Sequence, residues 1–287
     1  MHASDSGRRR DEVSMIDIKP VNPCIGAYVQ GVDLRKPLAP VDRDAIEAAL
    51  LRHGVLFFRN QDVTPEEHLA FARQFGKLDV PPLRPKYGTN PEMIVLDQVA
   101  PKGEGADEWH SDNTFSAEPP LGSILRAVML PSQGGDTCFA NMHAAYDALA
   151  APLRRLIDEL EAVHDITKPM RKAIAAGHSA ESLAEIQAKW PPVVHPVART
   201  HPVTGRKALY VNGNSTTHIV DVSERESEAI LRLLIDHVRD PVFQCRFQWD
   251  LNSIAFWDNR SVQHYAVPDY TERRIMNRVT LVGDRPR

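Results

Sequence analysis

The stretch "SIAFWDNRSVQHYAVPDYTERRIMNRVTLVGDRP", residues 253–286, decides how the chain is read. It holds two short β-like runs, 254–257 and 275–282, with turn-like residues between them. Working back through the sequence, similar runs recur at 54–58, 93–97, 123–130, 137–140, 208–212 and 243–249. Helical spacing of apolar residues marks 42–53, and 143–164 with a break near Pro152. Capping boxes open two more helices: Thr64 with Glu67, with Pro65 at the first helical position, and Ser223 with Glu226 at the head of 222–239. Strands and helices do not alternate regularly, which argues against a doubly wound parallel sheet. The expected fold is mainly β with helices (α+β): an antiparallel double-sheet core with helices packed outside.

Composition narrows the function classes. At 287 residues, 43% hydrophobic and 25% charged, the chain reads as an ordinary soluble globular protein able to bury a sizeable core. A net charge of −4 gives no electrostatic footprint for nucleic acid, and no apolar run is long enough to span a membrane. Cys24, Cys138 and Cys245 are too scattered for a disulfide framework, which favours a reducing cytoplasm. Residues 1–14 read as a disordered tail, with Met15 an alternative start, and 15–287 as a single domain. The polar, helix-prone stretch 166–191 is either a lid or a surface excursion.

Two features carry chemistry. Within "RIMNR" a strand sets Arg274, Met276 and Arg278 on one face, with the arginine Cα atoms about 13 Å apart. Buried there, two guanidiniums need anionic partners; the alternative is a solvent-facing strand edge. Upstream, "EWHSDNTF" (108–115) contains the only H-x-D of the chain, His110 and Asp112. In an extended segment residues two apart face the same side, so imidazole and carboxylate can converge on a metal. The alternative is a surface histidine beside an acid.

These pieces, with "GGDTCFANMHAAYDAL", "HPVTGRKALYVN" and "WDNRSVQHYAVPDY" in this order, make the chain resemble the taurine dioxygenase (TauD/TfdA) family of non-haem iron, 2-oxoglutarate-dependent oxygenases. The resemblance runs from about residue 23 to the C-terminus and implies a double-stranded β-helix (jelly-roll) core flanked by helices. It implies His110, Asp112 and His264 as ligands of Fe(II), a set that leaves positions open for oxygen chemistry. It further implies that Thr137 and Arg274 meet the distal carboxylate of the cosubstrate 2-oxoglutarate, since arginine's planar fork suits a carboxylate. Arg278 matches the family position that grips the anionic head of the primary substrate.

The implied reaction consumes O2, hydroxylates a small anionic organic substrate and yields succinate and CO2. A sulfonate (taurine or an alkanesulfonate) or an alkyl sulfate ester would then lose its leaving group. "LDVPPL" (78–83) and "AVPDY" are also similar to members acting on aryloxyalkanoates. Departures from the taurine enzyme's pattern fall at Pro81, Arg84, Ala106 and Asn113, which counts against taurine itself. Arg84 and Asn113 become candidate substrate contacts. Asp112 argues against a halogenase, and the lack of HExxH with an unexplained arginine pair argues against a zinc hydrolase. A jelly-roll protein that binds an anion without redox chemistry is the remaining rival. Family resemblance suggests a homo-oligomer, dimer or tetramer. Of the other histidines, His164 is expected at a helix end, and His218 is the one to watch, since a loop neighbouring it could line the pocket; Trp109, Tyr210 and Trp257 are expected in the core.

Overall fold

The computed structural model describes residues 16–80, 90–99, 107–175 and 182–287. The expected tail 1–14, Met15, Pro81, Arg84, Ala106 and residues 176–181 of the lid candidate lie outside the described residues. The chain opens with β1 (Asp17–Pro20), β2 (Ala27–Gln30), α1 (Pro40–His53), β3 (Val55–Phe58) and α2 (Pro65–Arg73). Next come β4 (Met93–Val99), β5 (Gly122–Met129), β6 (Thr137–Asn141) and two short helices, α3 (Met142–Ala148) and α4 (Ala151–Ile157). β7 (Glu161–His164) leads to α5 (Thr167–Ala175) and α6 (Leu183–Lys189), then β8 (Val193–Pro196), β9 (Ala198–Thr200), β10 (Lys207–Leu209) and β11 (Thr216–Ile219). The last helix, α7 (Glu224–His237), precedes β12 (Gln244–Phe247), β13 (Ile254–Asp258), β14 (Val262–Ala266) and β15 (Arg273–Leu281).

Two sheets face each other. The larger runs β1-β2-β3-β13-β5-β15-β4 and the smaller β12-β6-β14. Among the described pairings only β2 with β3 is parallel, as expected for a chain whose strands do not alternate with helices. Phe57, Leu125, Trp257 and Met276 of the larger sheet meet Phe139, Phe247 and Val262 of the smaller. Phe57 and Phe247 stack with ring centroids 4.1 Å apart. Each such side chain taken from water contributes about 1.5–3 kcal/mol. This is the expected jelly roll.

The outer face of the larger sheet is covered by α1 and α2, whose Ile46, Leu50, Leu69 and Phe71 pack on Leu56, Phe58 and Val279. β13 is therefore buried along its length, which explains why "IAFWD" lacks polar alternation. The α2 and α7 capping boxes are present as read from sequence: Thr64 and Ser223 accept from the amides of Glu67 and Glu226, whose carboxylates accept in return.

Two expectations are corrected. The 143–164 stretch is not one interrupted helix: Pro152 starts α4, and 161–164 pairs as a strand with β8 and β11. His164 consequently sits in a sheet and is fully buried, not at a helix end. β14, which carries His264, is also a strand that apolar patterning alone did not mark. Within 166–191, Ile166 just before α5 and Ile186 of α6 form a small apolar cluster with Phe115, with Met170 and Ile174 of α5 packed against it. Among the described residues no helix is long and apolar enough to cross a membrane.

Candidate active site

His264 projects from β14, and the His110–Asp112 segment docks against that strand without belonging to a sheet. His110 N–H donates to the His264 carbonyl at 3.1 Å, and His264 N–H to the His110 carbonyl at 2.8 Å. Ser111 Oγ adds a bond to the Val262 carbonyl at 2.9 Å. This pairing brings the two imidazoles to 4.2 Å between ring centroids. Asp112 Oδ1 lies 3.9 Å from His110 Nε2 and 3.8 Å from His264 Nε2. One donor atom from each of the three residues falls within 4.8 Å of the others, and all three side chains are buried. Two neutral imidazoles and one carboxylate in that compass are a donor set that fits a divalent transition metal.

The surroundings fix the donor atoms. His110 Nδ1 faces the Glu108 carbonyl at 2.7 Å, which holds the proton on Nδ1 and turns the Nε2 lone pair inward. His264 Nδ1 is buried without a hydrogen-bond partner among the described residues; its ring is held between Trp257, 4.7 Å away, and Phe139, 6.3 Å away. Burial pushes both imidazoles below the ordinary histidine range, His264 to about 3 with help from the neighbouring His110. Burial alone would raise the Asp112 carboxyl, but Arg278, the two imidazoles and Ser123 together hold it well below the usual carboxylate range. Ser123 Oγ donates to Asp112 Oδ2 at 2.8 Å, which leaves Oδ1 as the oxygen facing the histidines.

Both arginines reach the same cavity, of about 270 Å³, that the three residues line. β15 is an interior strand between β5 and β4, so the solvent-facing alternative does not hold. Arg278 Nη1 donates to Asp112 Oδ1 at 2.8 Å, while its Nε is buried and has no hydrogen-bond partner among the described residues. Arg274 is 4% exposed, and its Nε and Nη2 have no hydrogen-bond partner among the described residues. Its guanidinium lies beside the rings of Trp249 and Tyr270, at 6.0 and 5.8 Å. Gly135 lets the preceding loop lie against it: at φ +75°, a Cβ there would come within 3.2 Å of Arg274 Nε. Two residues on, Thr137 Oγ1 accepts from Trp249 Nε1 at 3.0 Å, so its own hydroxyl proton is free to point into the cavity. A buried cation with open donors beside a free hydroxyl fits a carboxylate.

Asn113, in the left-handed region at φ +51°, also lines the cavity. Arg84 is outside the described residues. His218 is exposed on β11 and does not line this cavity, whereas Asn214 and Ser215 of the neighbouring loop do. Trp109 and Tyr210 are core aromatics as expected, whereas Trp257 is both core and cavity wall. Sequence reasoning did not find Ser123, Glu108 or Asn259 around the triad, nor Phe115, Met170 and Ser215 on the cavity wall. No local motif marks them, because each acts through a contact made by the fold.

Comparison with known proteins agrees with this geometry. The family described as taurine catabolism dioxygenase TauD, TfdA family, matches residues 17–280. An alpha-ketoglutarate-dependent sulfate ester dioxygenase of Pseudomonas putida is 37% identical over 94% of this chain and 91% of its own length. An alpha-ketoglutarate-dependent 2,4-dichlorophenoxyacetate dioxygenase of Cupriavidus pinatubonensis is 32% identical over 92% of this chain and 97% of its own. Among solved structures, a taurine dioxygenase from Burkholderia xenovorans superimposes with a TM-score of 0.82 at 39% identity, covering 95% of this chain and 91% of the other. The chain belongs to the TauD/TfdA family, and it is an oxidoreductase that uses iron(II), 2-oxoglutarate and dioxygen.

Proposed function

We propose that this enzyme oxidises a small anionic organic substrate, a sulfate ester or sulfonate, with loss of the leaving group. The observation that carries this reading is one cavity holding both the His110/Asp112/His264 cluster and two arginines with unpaired buried donors. The 37% identity to a sulfate ester dioxygenase supports the substrate class. The 32% identity to a 2,4-dichlorophenoxyacetate dioxygenase supports a second reading, the same chemistry on an aryloxyalkanoate.

In this reading His110 Nε2, His264 Nε2 and Asp112 Oδ1 hold iron(II), and Arg274 and Thr137 hold the distal carboxylate of 2-oxoglutarate. Iron(II), when bound, supplies the oxidation of a substrate C–H bond to C–OH with dioxygen while 2-oxoglutarate becomes succinate and carbon dioxide. The chain's own work is placement. Ser123 and Arg278 fix both oxygens of Asp112, and the Glu108 carbonyl fixes the tautomer of His110. Arg278, half-buried beside Asp112, is placed to share its unpaired Nε with the anionic head of the substrate, with Asn113 nearby. Phe115, Pro169 and Met170 supply apolar wall to the same cavity. A substrate carbon bearing a sulfate ester, once hydroxylated, collapses to a carbonyl compound and releases sulfate.

The same reading takes residues 15–287 as one functional domain, with α5 and α6 as a lid, acting in the cytoplasm as a homo-oligomer. The test is a screen of alkyl sulfates, sulfonates and aryloxy acids for substrate-dependent succinate release. Stimulation by sulfate esters or sulfonates is expected. Stimulation only by aryloxy acids moves the assignment to the second reading, and no oxygen-dependent succinate with fully loaded metal refutes both.

A further inference from the structure

Asp112 lies just past the point where its segment bridges to β14, and no strand pairs with Asp112 itself among the described residues. The His110–His264 bridge secures the first residue of the segment and the Ser111 hydroxyl the second. Immediately after Asp112 the chain turns away, with Asn113 at φ +51°. The backbone N–H and C=O of Asp112 pair instead with a single side chain, 147 residues away in sequence. Asn259 Oδ1 accepts from Asp112 N–H at 2.7 Å, and Asn259 Nδ2 donates to the Asp112 carbonyl at 3.0 Å. The second Nδ2 proton goes to the Pro120 carbonyl at 3.2 Å, just before β5 and Ser123. One carboxamide thus does for Asp112 what a neighbouring strand does for a ladder residue. Its orientation is not interchangeable, because the oxygen faces a donor and the nitrogen faces two acceptors.

The clamp is itself rigidly mounted. Asn259 is fully buried in the β13–β14 turn, and its own N–H donates to the Leu121 carbonyl at 2.9 Å. On either side, Arg260 grips the Asp258 carboxylate with Nε at 2.8 Å and Nη2 at 2.7 Å, and His201 Nε2 lies 3.0 Å from Asp258 Oδ2. The same turn leads into β14 and His264. The carboxylate and the distal imidazole of the triad are therefore referenced to one fixed corner of the jelly roll.

We propose that Asn259 is a positioning residue for metal binding: it sets the backbone of Asp112 so that Oδ1 points at the two imidazoles. This rests on the reading of His110, Asp112 and His264 as the metal ligands. An aspartate at 259 has the same shape and still accepts from Asp112 N–H, but turns an oxygen toward two carbonyls to which it cannot donate. Asparagine alone satisfies all three contacts.

The test compares wild-type chain, Asn259→Asp, Asn259→Ala and Asp112→Ala, each purified metal-free. Mn(II) binding is followed by electron paramagnetic resonance, and melting temperature is recorded without metal. A merely structural asparagine lowers the metal-free melting temperature and leaves the Mn(II) affinity of folded protein unchanged. Loss of a positioning clamp lowers that affinity about 10- to 100-fold in the folded Asn259 variants. A folded Asn259 variant that binds Mn(II) within threefold of wild type overturns the proposal, provided Asp112→Ala has lost the ion. If Asp112→Ala binds like wild type, the triad reading falls first and the proposal with it. Hydrogen exchange in metal-free wild type needs no variant: the Asp112 amide should be protected like the amides of β13, and free exchange there overturns the clamp.

Discussion

Replacing Arg274 with methionine keeps much of the side chain's apolar length and deletes its charge. The guanidinium is buried, with Nε and Nη2 unpaired among the described residues, so a carboxylate arriving there meets two waiting donors. Truncating one partner of a buried, hydrogen-bonded charge pair costs about 2–5 kcal/mol. At about 1.4 kcal/mol per tenfold, this is a loss of roughly 30-fold to several thousand-fold in 2-oxoglutarate affinity. Thr137 remains to hold one oxygen, which puts the expected loss toward the lower end, about 100-fold. Metal affinity should change by less than about threefold, since the ring neighbours of Arg274 are Trp249 and Tyr270 and not the triad. Stability without ligand should hold or rise, because a buried guanidinium with two unsatisfied donors is itself costly. The assay is an anaerobic 2-oxoglutarate titration of the iron(II) protein, read from its weak visible charge-transfer band, beside a Mn(II) titration. Equal losses of metal and 2-oxoglutarate affinity, or a 2-oxoglutarate affinity within threefold of wild type, would refute the reasoning.

Asp112→Ala should abolish turnover and metal retention, with metal content after gel filtration as the check; retained stoichiometric iron would contradict it. Arg278→Ala should raise the requirement for primary substrate more than that for 2-oxoglutarate, as measured by succinate release; unchanged substrate affinity removes Arg278 from the pocket. Acid should destabilise the metal-free fold through buried neutral histidines outside the triad. His68 and His164 are both pushed from 6.5 to about 3, first by burial. Between those values the unfolded chain binds more protons, so stability present above about pH 6.5 is lost as pH falls toward 3. His68→Leu should flatten the decline of unfolding free energy by up to about 1.4 kcal/mol per pH unit, as read from urea melts; an unchanged slope would rule His68 out.

Local chemistry made much of the fold legible. The Thr64/Glu67 and Ser223/Glu226 boxes mark helix starts because their partners are three residues apart, and each β-like run from 54–58 to 275–282 overlaps a strand. "EAVH" at 161–164 misled because alanine and glutamate favour helix, whereas pairing with β8 and β11 overrides that preference. At the site, the strand face shared by Arg274 and Arg278 could be read from a period of two. His264 could not be joined to His110 by spacing and entered through resemblance. Ser123, Glu108 and Asn259 stayed invisible because a hydroxyl, a carbonyl and a carboxamide have meaning there only through contacts across the fold.

The two arginines of β15 line one cavity and differ in exposure, Arg274 buried and Arg278 only partly so, which on the proposed reading puts the 2-oxoglutarate end inside and the substrate end outside. On the proposed reading, loading then has a compulsory order. The keto diacid has to reach the floor before anything occupies the vestibule, and a substrate anion that arrives first becomes a plug. Turnover at a fixed, low 2-oxoglutarate concentration should pass through a maximum and fall as substrate is raised, and more 2-oxoglutarate should shift that maximum to higher substrate.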